Sequence, residues 1–522
     1  MVAYALAACG GERGAAPEAV DESEKAGGMA VVCTQNAPES LDAFVSSDLT
    51  AADLRLLLFT PLVLYGEGGE YRPHLATRWE WSEDRRSLVF EIRHDVTWHD
   101  GEPLTAADVA FTLDIARQPE YAYPSADDYS DLKDVTVQDS VTVELRFATP
   151  NVGGLEQFVW LPILPRHLLA HLEPNEFAGA GYHRSPVGSG PFEFRERRPD
   201  GTIVLERYER YPEGLGVPYL DRIAIRTIVE PSAILVELAN GGVDVCMTDA
   251  ALAERTSGLD HLDVIRLEPP PLMVLPLNSQ HPPLDDVRVR RALSAALDRS
   301  EIATTVAAVA EPAGNPLPES SPWFDPQLLQ LDDDSTLAAA LLDSAGWQRR
   351  GAVRTNERGE ELRLELTAPP IRQDALVVAQ SQWRRLGVRV ELRFLEYTSF
   401  YDVLQKPASR PDIMGLTFAP EKIFTPDSEL FAEFHSEGLF NLGSYASPAV
   451  DSMIERLALP IEPSERRQIY VELQRCIVHD VPMIFVAYVP RLEIVGPRLR
   501  GVEADLNGPF AAITNWWLFP KR

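Results

Sequence analysis

The spacing of apolar residues along this chain alternates between the period of a strand and the period of a helix. Leu88, Phe90 and Ile92 are apolar at every second position, as in a strand that buries one face. The polar turn Ser82–Arg86 separates this segment from a second strand-like segment, Ala76–Trp81. The pattern therefore predicts a β-hairpin.

Helical spacing, with recognisable start signals, follows in other segments. Thr105 and Asp108 have the spacing of a capping box, which predicts a helix running from there to Ile115. Asp285 or Asp286 caps a longer helix, in which apolar residues recur with the period of one helical face.

One stretch predicts a strand–helix–strand unit. The strands Leu362–Thr367 and Val388–Phe394 bracket the helix Asp374–Leu386, as in a βαβ crossover. We expect Pro482–Tyr488 to be a strand that returns to an earlier sheet. The other predicted strands are Met29–Cys33, Val135–Gln138, Val141–Phe147, Ile203–Arg207, Ile223–Ile228, Asp244–Thr248 and Met273–Asn278. The sequence thus predicts a mixed α/β protein.

Length and charge narrow the function classes. The 522 residues are too many for one hydrophobic core, so we expect two to four domains. A formal net charge of -31 repels nucleic acid and anionic membrane surfaces, which argues against direct binding to either. No apolar run reaches the roughly 18 residues that cross a bilayer.

Catalytic and metal-binding motifs are incomplete. Gly188-Ser189-Gly190 lacks the G-x-S-x-G spacing of a nucleophile elbow. His167 and His171 lack the glutamate of a zinc-binding HExxH helix. We therefore predict that the protein is not an enzyme and takes no cofactor or metal.

The cysteines form neither a CxxC pair nor a zinc-ligand spacing. Cys33 and Cys246 both fall in apolar, strand-like segments. A bridge between them remains open in an exported protein, but we favour two buried free thiols.

The first residues resemble the lipobox of bacterial lipoproteins. Small residues precede Cys9 in Leu6–Gly10, and the resemblance implies that Cys9 is acylated. The apolar stretch Val2–Ala8 is short and has no basic residues before it, so we expect the true start upstream of Met1. Residues 10–28 are rich in Gly, Ala and Glu, as in a flexible tether.

Motifs in a fixed order along most of the chain resemble the family 5 extracellular solute-binding proteins of ABC importers, the oligopeptide, dipeptide and nickel group. The segments that carry this resemblance are Pro73–Asp84, Phe90–Arg93, Trp98–Val109, Gly188–Phe192, Leu277–Asn278, Pro283–Leu293, Ala296–Arg299, Leu341–Trp347, Tyr445–Asp451 and Arg466–Leu473. The resemblance implies the type II periplasmic-binding-protein fold, with two α/β lobes around a cleft and an extra domain inserted in the first lobe.

The same resemblance implies a domain division. Residues 1–28 are the signal remnant and tether, 29–65, 184–279 and 488–522 form lobe one, 66–183 form the extra domain, and 280–487 form lobe two. The chain crosses between the lobes near Leu277–Pro282 and Val486–Pro490, where we expect the hinges.

The resemblance also suggests an anchor for the ligand's amino group. Peptide-binding members use an aromatic residue and an acidic residue three positions later, and the corresponding positions here are Phe418 and Glu421. An aromatic wall beside a partly desolvated carboxylate suits an ammonium group. A solvated loop glutamate is the alternative for Glu421.

Further cleft candidates follow from position and side-chain type. Ser46 and Ser47 lie where family members place a cleft-lining loop, although the segment fits a helix cap equally well. Asn315, Trp323 and Tyr401 are the other candidates, with a core role favoured for Trp323.

The sequence therefore predicts an extracytoplasmic substrate-binding protein that captures a di- or oligopeptide by lobe closure. We expect a lipid-anchored monomer that delivers its ligand to an ABC permease and its ATPase subunits. The alternatives are an oligosaccharide or metal chelate as the ligand, a peptide hydrolase, and a sensor or chaperone on the same scaffold.

Overall fold

The computed structural model describes residues 25, 27–38, 40–46, 48–66, 69–121, 123–151, 154–249, 252–253, 255–256, 259, 261–307, 309–331, 333–418, 424–459 and 461–519. The predicted signal remnant and most of the predicted tether, with Cys9, lie outside these residues.

The strands, in chain order, are β1 (Met29–Thr34), β2 (Val63–Tyr65), β3 (Tyr71–Pro73), β4 (Ala76–Trp81), β5 (Ser87–Ile92), β6 (Leu132–Val137), β7 (Thr142–Phe147), β8 (Phe192–Arg197), β9 (Ile203–Arg207), β10 (Arg222–Thr227), β11 (Val245–Asp249), β12 (Asp263–Leu267), β13 (Leu272–Pro276), β14 (Glu311–Pro312), β15 (Gln348–Arg350), β16 (Val353–Thr355), β17 (Arg363–Ala368), β18 (Arg389–Phe394), β19 (Ile413–Met414), β20 (Leu416–Phe418), β21 (Met483–Tyr488), β22 (Arg491–Val495), β23 (Leu499–Arg500) and β24 (Trp517–Leu518).

The α-helices are α1 (Leu49–Leu58), α2 (Ala106–Ala116), α3 (Glu156–Trp160), α4 (Arg166–Leu169), α5 (Pro174–Phe177), α6 (Pro231–Asn240), α7 (Val287–Ala295), α8 (Arg299–Val306), α9 (Ser335–Ser344), α10 (Gln373–Leu386), α11 (Tyr397–Leu404), α12 (Asp427–Phe434), α13 (Pro448–Leu457) and α14 (Pro463–Asp480). None of these described helices is both long enough and apolar enough to span a membrane.

The local predictions from periodicity are confirmed. β4 and β5 form the predicted hairpin. Thr105 donates its backbone N–H to the carboxylate of Asp108 at 2.8 Å, which closes the capping box of α2. Asp286, not Asp285, caps α7 by accepting the N–H of Arg288 at 2.8 Å.

Two groups of sheets define two lobes. We call lobe I the seven-stranded sheet, in the order β12-β22-β11-β1-β10-β9-β8, with the helices packed on it. Lobe II contains the antiparallel sheet β14-β21-β13-β20 and the parallel sheet β18-β17-β19. β17 and β18 pair in parallel across α10, which confirms the predicted βαβ unit.

A third sheet, β4-β5-β7-β6, is antiparallel and lies against lobe I. One continuous apolar core joins it to lobe I, with Leu57 of α1, Phe90 of β5 and Val245 of β11 among its buried residues. This sheet and the helices near it lie within the predicted extra domain, whose exact limits stay a prediction.

Two described connections cross between the lobes. Residues 268–271 connect β12 of lobe I to β13 of lobe II, and residues 489–490 lead back from β21 to β22. The two connections contact each other, since Val489 donates its N–H to the carbonyl of Pro271 at 2.7 Å. The paired segments have the geometry of a hinge.

The first crossing differs from the one expected at Leu277–Pro282. The apolar strand β13 was predicted to belong to lobe one, but it pairs with β20 and β21 in the lobe II sheet. Apolar periodicity identifies a strand and not its partner, so the boundary was predicted several residues too late.

Several residues of the motifs that resemble the family form hydrogen bonds between segments distant in sequence. Nδ1 of His99 accepts the N–H of Gly188 at 3.0 Å, and Nε2 donates to the carbonyl of Gly190 at 3.1 Å. The imidazole is therefore neutral, and burial lowers its pKa from 6.5 to about 4. A Cβ on Gly188 would lie 1.8 Å from the carbonyl oxygen of Leu58, so this contact requires glycine.

The motif arginines have a similar structural role in lobe II. The buried Arg299 donates from Nε to the carbonyl of Phe485 at 2.6 Å and from Nη1 to that of Leu331 at 2.9 Å. Arg290 donates from Nε to the carbonyl of Asp480 at 2.8 Å. These bonds satisfy buried guanidinium groups and tie α7 and α8 to the strand β21 region.

Candidate functional site

Two adjoining cavities lie between the lobes, beside the hinge. The first, of about 400 Å³, is lined from lobe II by Ser320, Pro322 and Phe424. From the lobe I side it is lined by Glu268 and by Ala504–Leu506 of the C-terminal segment. The second, of about 390 Å³, shares Glu268 and Ser320 with the first. A molecule that fills these cavities touches both lobes and the hinge.

The lining of the cavities is acidic. Its described carboxylates are Glu268, Glu311, Glu319 and Asp505, and Arg266 is the cation among them. Arg266 bonds to Glu268 at 3.1 Å and to Glu311 at 2.6 Å. Burial raises the pKa of Glu268, and Arg266 partly opposes that shift. The lining therefore carries excess negative charge, which attracts cationic groups.

The residues just before α12 connect the lobes directly. The ring of Phe424 packs on Gly69 and against Tyr65, with ring centroids 5.3 Å apart. Thr425 donates its backbone N–H to Oε2 of Glu156 at 3.0 Å, and its hydroxyl bonds to the same oxygen. This set of contacts fixes a lobe II segment onto the lobe I side.

Glu156 is well placed to receive these bonds. It lies in the first turn of α3, where a carboxylate is favoured, and its side chain is buried. The hydroxyl of Tyr65 donates to its Oε1 at 2.5 Å. Burial, and next the charge of Glu156, raise the pKa of Tyr65 well above its ordinary value, so the phenol remains a donor.

Trp323 holds the other side of the same segment. Its indole Nε1 donates to the carbonyl of Phe424 at 2.7 Å, and its ring stacks on Tyr470 with centroids 4.5 Å apart. Asp427, which follows the segment, bonds to Nη1 of Arg466 at 2.6 Å. Trp323 therefore adjoins the cavity through its neighbour Pro322 and supports the cleft wall.

The structure separates the other candidates from the cavity lining. Asn315 was predicted to face the cleft, but it is fully buried and bonds to Gln474 at 3.0 Å and to the carbonyl of Leu328 at 2.7 Å. Its polar atoms are engaged within lobe II, so that prediction was wrong. Tyr401 lies exposed on α11, outside the described lining of both cavities.

The two remaining described candidates have local partners. Ser46 accepts the N–H of Asp48 at 3.1 Å, and Asp48 in turn caps α1 by accepting from Thr50 at 3.1 Å. Phe418 is half-buried and pairs with Leu272 across β20 and β13. The segment around Ser46 thus fits the helix-cap alternative. Ser47 and Glu421 lie outside the described residues, so their predicted roles are untested.

The buried pair of His183 and Asp42 has a structural arrangement. His183 bonds through Nδ1 to Asp42 at 2.8 Å and through Nε2 to the carbonyl of Phe177 at 2.8 Å, both inside the core. The nearby Ser40 hydroxyl donates to backbone carbonyls and not to the imidazole. Within the described part of the chain, no group of three or more potential metal ligands occurs.

Glu156 and the acidic cavity residues were not among the predicted site residues. None of these acids belongs to a repeating sequence pattern. The bond from Thr425 to Glu156, and the cavity shared by Glu268 and Asp505, join positions more than a hundred residues apart. The one signal in the sequence was an acid two positions before Phe158, which is also typical of an ordinary helix start.

Comparison with known proteins gives a consistent result. The profile described as "Bacterial extracellular solute-binding proteins, family 5 Middle" matches residues 70–418. The oligopeptide-binding protein AppA of Bacillus subtilis is 26% identical over 543 residues, covering 99% of this chain and 97% of AppA.

Solved structures show the same fold. AppA of Bacillus subtilis in complex with a nonapeptide has a TM-score of 0.79 at 23% identity, covering 95% of this chain and 100% of that one. NikZ from Campylobacter jejuni in complex with Ni(L-His) has a TM-score of 0.78 at 23% identity, covering 94% and 99%. The predicted type II periplasmic-binding-protein fold is confirmed. Since the profile covers well over half of the sequence, the chain belongs to family 5 of the bacterial extracellular solute-binding proteins, the solute-binding components of ABC importers.

Proposed function

We propose that this protein captures short peptides in the cleft between its lobes and delivers them to an ABC permease. The observation that carries the proposal is the pair of adjoining cavities, lined from both lobes at the hinge. A ligand bound there contacts both lobes only when the cleft is closed, so it stabilises the closed state.

The charge of the lining favours peptides with a positive group. Arg266 balances only one of its two partners, Glu268 and Glu311. Glu319 and Asp505 add two more carboxylates to the lining, so an ammonium or guanidinium group is attracted there. The peptide backbone then pairs with main-chain groups of the cleft, as extended peptides do elsewhere. Relatives described as peptide-binding support this ligand class.

The cellular setting belongs to the same proposal. The protein works outside the cytoplasm as a monomer, held to the membrane surface by acylation of Cys9, and it has no catalytic role. Two acyl chains suffice for stable anchoring. Metabolic labelling with a fatty-acid analogue tests the anchor, because a Cys9→Ala variant loses the label if Cys9 is the acylated residue.

A charge-matched ligand series tests the ligand class. Trilysine, trialanine and triglutamate share a backbone and differ in side-chain charge, so melting shifts at equal concentration isolate the effect of the lining. We expect trilysine to raise the melting temperature most and triglutamate least, since a ligand at 100 times its Kd stabilises by about 2.7 kcal/mol.

Maltotriose and the nickel–histidine chelate are included as probes of the non-peptide alternatives. A relative in the solved structures binds Ni(L-His), which gives the chelate a specific reason for inclusion. A shift with either of these compounds, and none with the three peptides, would reject the peptide proposal. Unchanged trilysine after prolonged incubation, followed by mass spectrometry, is the expected result for a protein that does not hydrolyse it.

Two substitutions test the anchor for the amine. Glu319→Gln removes a cavity carboxylate, and Glu421→Gln removes the carboxylate that the resemblance assigns. Each should weaken trilysine binding several-fold at low salt and less at high salt, because salt screens the attraction between charges. Glu357→Gln is the control, since this residue is exposed and outside the cavity lining. Unchanged affinity in either variant removes that residue from the anchor.

A further inference from the structure

Cys33 and Cys246 are direct neighbours in the centre of the lobe I sheet. β1 and β11 pair in parallel, and their register sets Cys33 opposite Cys246. Residues at matching positions of adjacent strands point to the same face of a sheet. Both side chains are fully buried, in a cluster that includes Ile234 and Leu238 of α6.

The two thiols affect each other's pKa, and the spacing of their strands suits a bridge. A hydrogen bond with Cys246 is the largest cause that lowers the pKa of Cys33, and the same bond raises the pKa of Cys246. Adjacent strands lie about 4.8 Å apart, which falls within the roughly 4.4–6.8 Å that separates the Cα atoms of bridged cysteines. In this structure both are thiols.

We propose that Cys33 and Cys246 are joined by a disulfide bond in the exported protein. The proposal rests on the extracytoplasmic location of this family, where oxidising conditions allow disulfides to persist. The sequence left such a bridge open while favouring two free thiols, and the strand register is the added observation that places the two cysteines side by side.

The oxidant is a disulfide of an extracytoplasmic thiol oxidoreductase. The Cys33 thiolate attacks this disulfide and forms a mixed disulfide, and the first oxidant sulfur leaves as a thiol. The Cys246 thiolate then attacks the Cys33 sulfur and releases the second. The pair loses two protons and two electrons, and the oxidant gains them as two thiols.

The burial of the pair determines when this reaction happens. α6 covers both residues in the folded lobe, so a protein oxidant reaches them only before the lobe is complete. For the same reason a reductant does not reach the folded protein's bond easily. The bond therefore serves as a structural link between strands more than two hundred residues apart in sequence, and not as a switch.

Thiol mapping of the full chain tests the proposal. The protein is recovered from the extracytoplasmic fraction, denatured without reductant, and treated with iodoacetamide before digestion. We expect one linked peptide containing Cys33 and Cys246, lighter than the two thiol peptides by about 2 Da, the mass of two hydrogens. Cys476, a half-buried cysteine on α14, is the internal control and should be alkylated.

A second measurement covers the effect on stability. Reductant present during unfolding should lower the melting temperature of the wild-type protein and leave that of the C33A/C246A double variant unchanged. Alkylation of both Cys33 and Cys246 in the exported protein would overturn the proposal, and so would a link from either residue to Cys476. Thiol mapping does not depend on peptide binding. A failure of the proposed ligand class would therefore not affect the test of the disulfide bond.

Discussion

The contact between Glu156 and Thr425 should set part of the energy of cleft closure. Glu156 lies on the lobe I side and Thr425 belongs to the segment that Trp323 holds on lobe II. Opening the cleft breaks this contact and exposes the carboxylate to water. Glu156→Gln removes the charge and leaves one carbonyl oxygen to serve the donors of Tyr65 and Thr425.

The magnitude follows from the bonds that cross between the lobes. A hydrogen bond to a charged group contributes about 1.5–3 kcal/mol, so the substitution should destabilise the closed state by about 2 kcal/mol. If the open state dominates without ligand, the apparent affinity falls by the same free energy, which is about 30-fold. Tyr65→Phe should have a smaller effect, because its bond to Glu156 lies within the lobe I side.

Calorimetric titration with trilysine and small-angle X-ray scattering measure the two parts of this prediction. The variant should bind more weakly and should remain more extended at subsaturating ligand. Glu176→Gln, at an exposed glutamate of α5, is the matched control. A Glu156→Gln protein that is folded, closes normally and binds within about twofold of wild type would refute the role assigned to this contact.

Three further substitutions test the scaffold. His99 is neutral in the folded protein, with a pKa lowered to about 4, so the free energy of unfolding decreases as pH falls below 6.5, by about 2 kcal/mol at pH 5. Urea unfolding of His99→Gln should therefore show a shallower acid dependence than wild type, and the exposed His94→Gln is the control. Gly188→Ala should lower the melting temperature or prevent folding, because its Cβ would overlap a backbone carbonyl; normal melting would contradict this. Asp42→Ala leaves His183 buried without its carboxylate and should lower the free energy of unfolding in urea by about 3 kcal/mol. A decrease of less than about 1 kcal/mol would show that the core relaxes around the imidazole.

The sequence predicted the fold well wherever the signal was local. The capping box at Thr105 and Asp108 and the hairpin around Ser82–Arg86 depend on neighbours within a few residues, and both are present. The ordered motifs predicted the family for a different reason. Residues such as His99 and Arg299 stabilise the fold by donating hydrogen bonds to backbone carbonyls. The motifs that identified the family therefore specify its fold and not its ligand.

The site was harder to predict because its contacts are distant in sequence. Asn315 had the right side-chain type for a cleft residue, yet it donates a hydrogen bond to Gln474 of α14 inside the lobe II core. Glu156 gave no pattern, because its role depends on Thr425, which approaches only through the fold. Trp323, for which a core role was favoured, stacks on Tyr470.

The position of the cavities relative to the hinge links ligand binding to closure without a separate pathway. Glu268 lines both cavities and is also the first residue of the crossing segment 268–271. Tyr488, which lines the second cavity, directly precedes the other crossing segment. A ligand bound between them therefore contacts the backbone whose dihedral angles change when the lobes move. The contacts that bind the ligand therefore also determine how much more tightly it binds the closed state than the open state. By linkage, this difference in affinity determines how far the ligand shifts the protein toward the closed state.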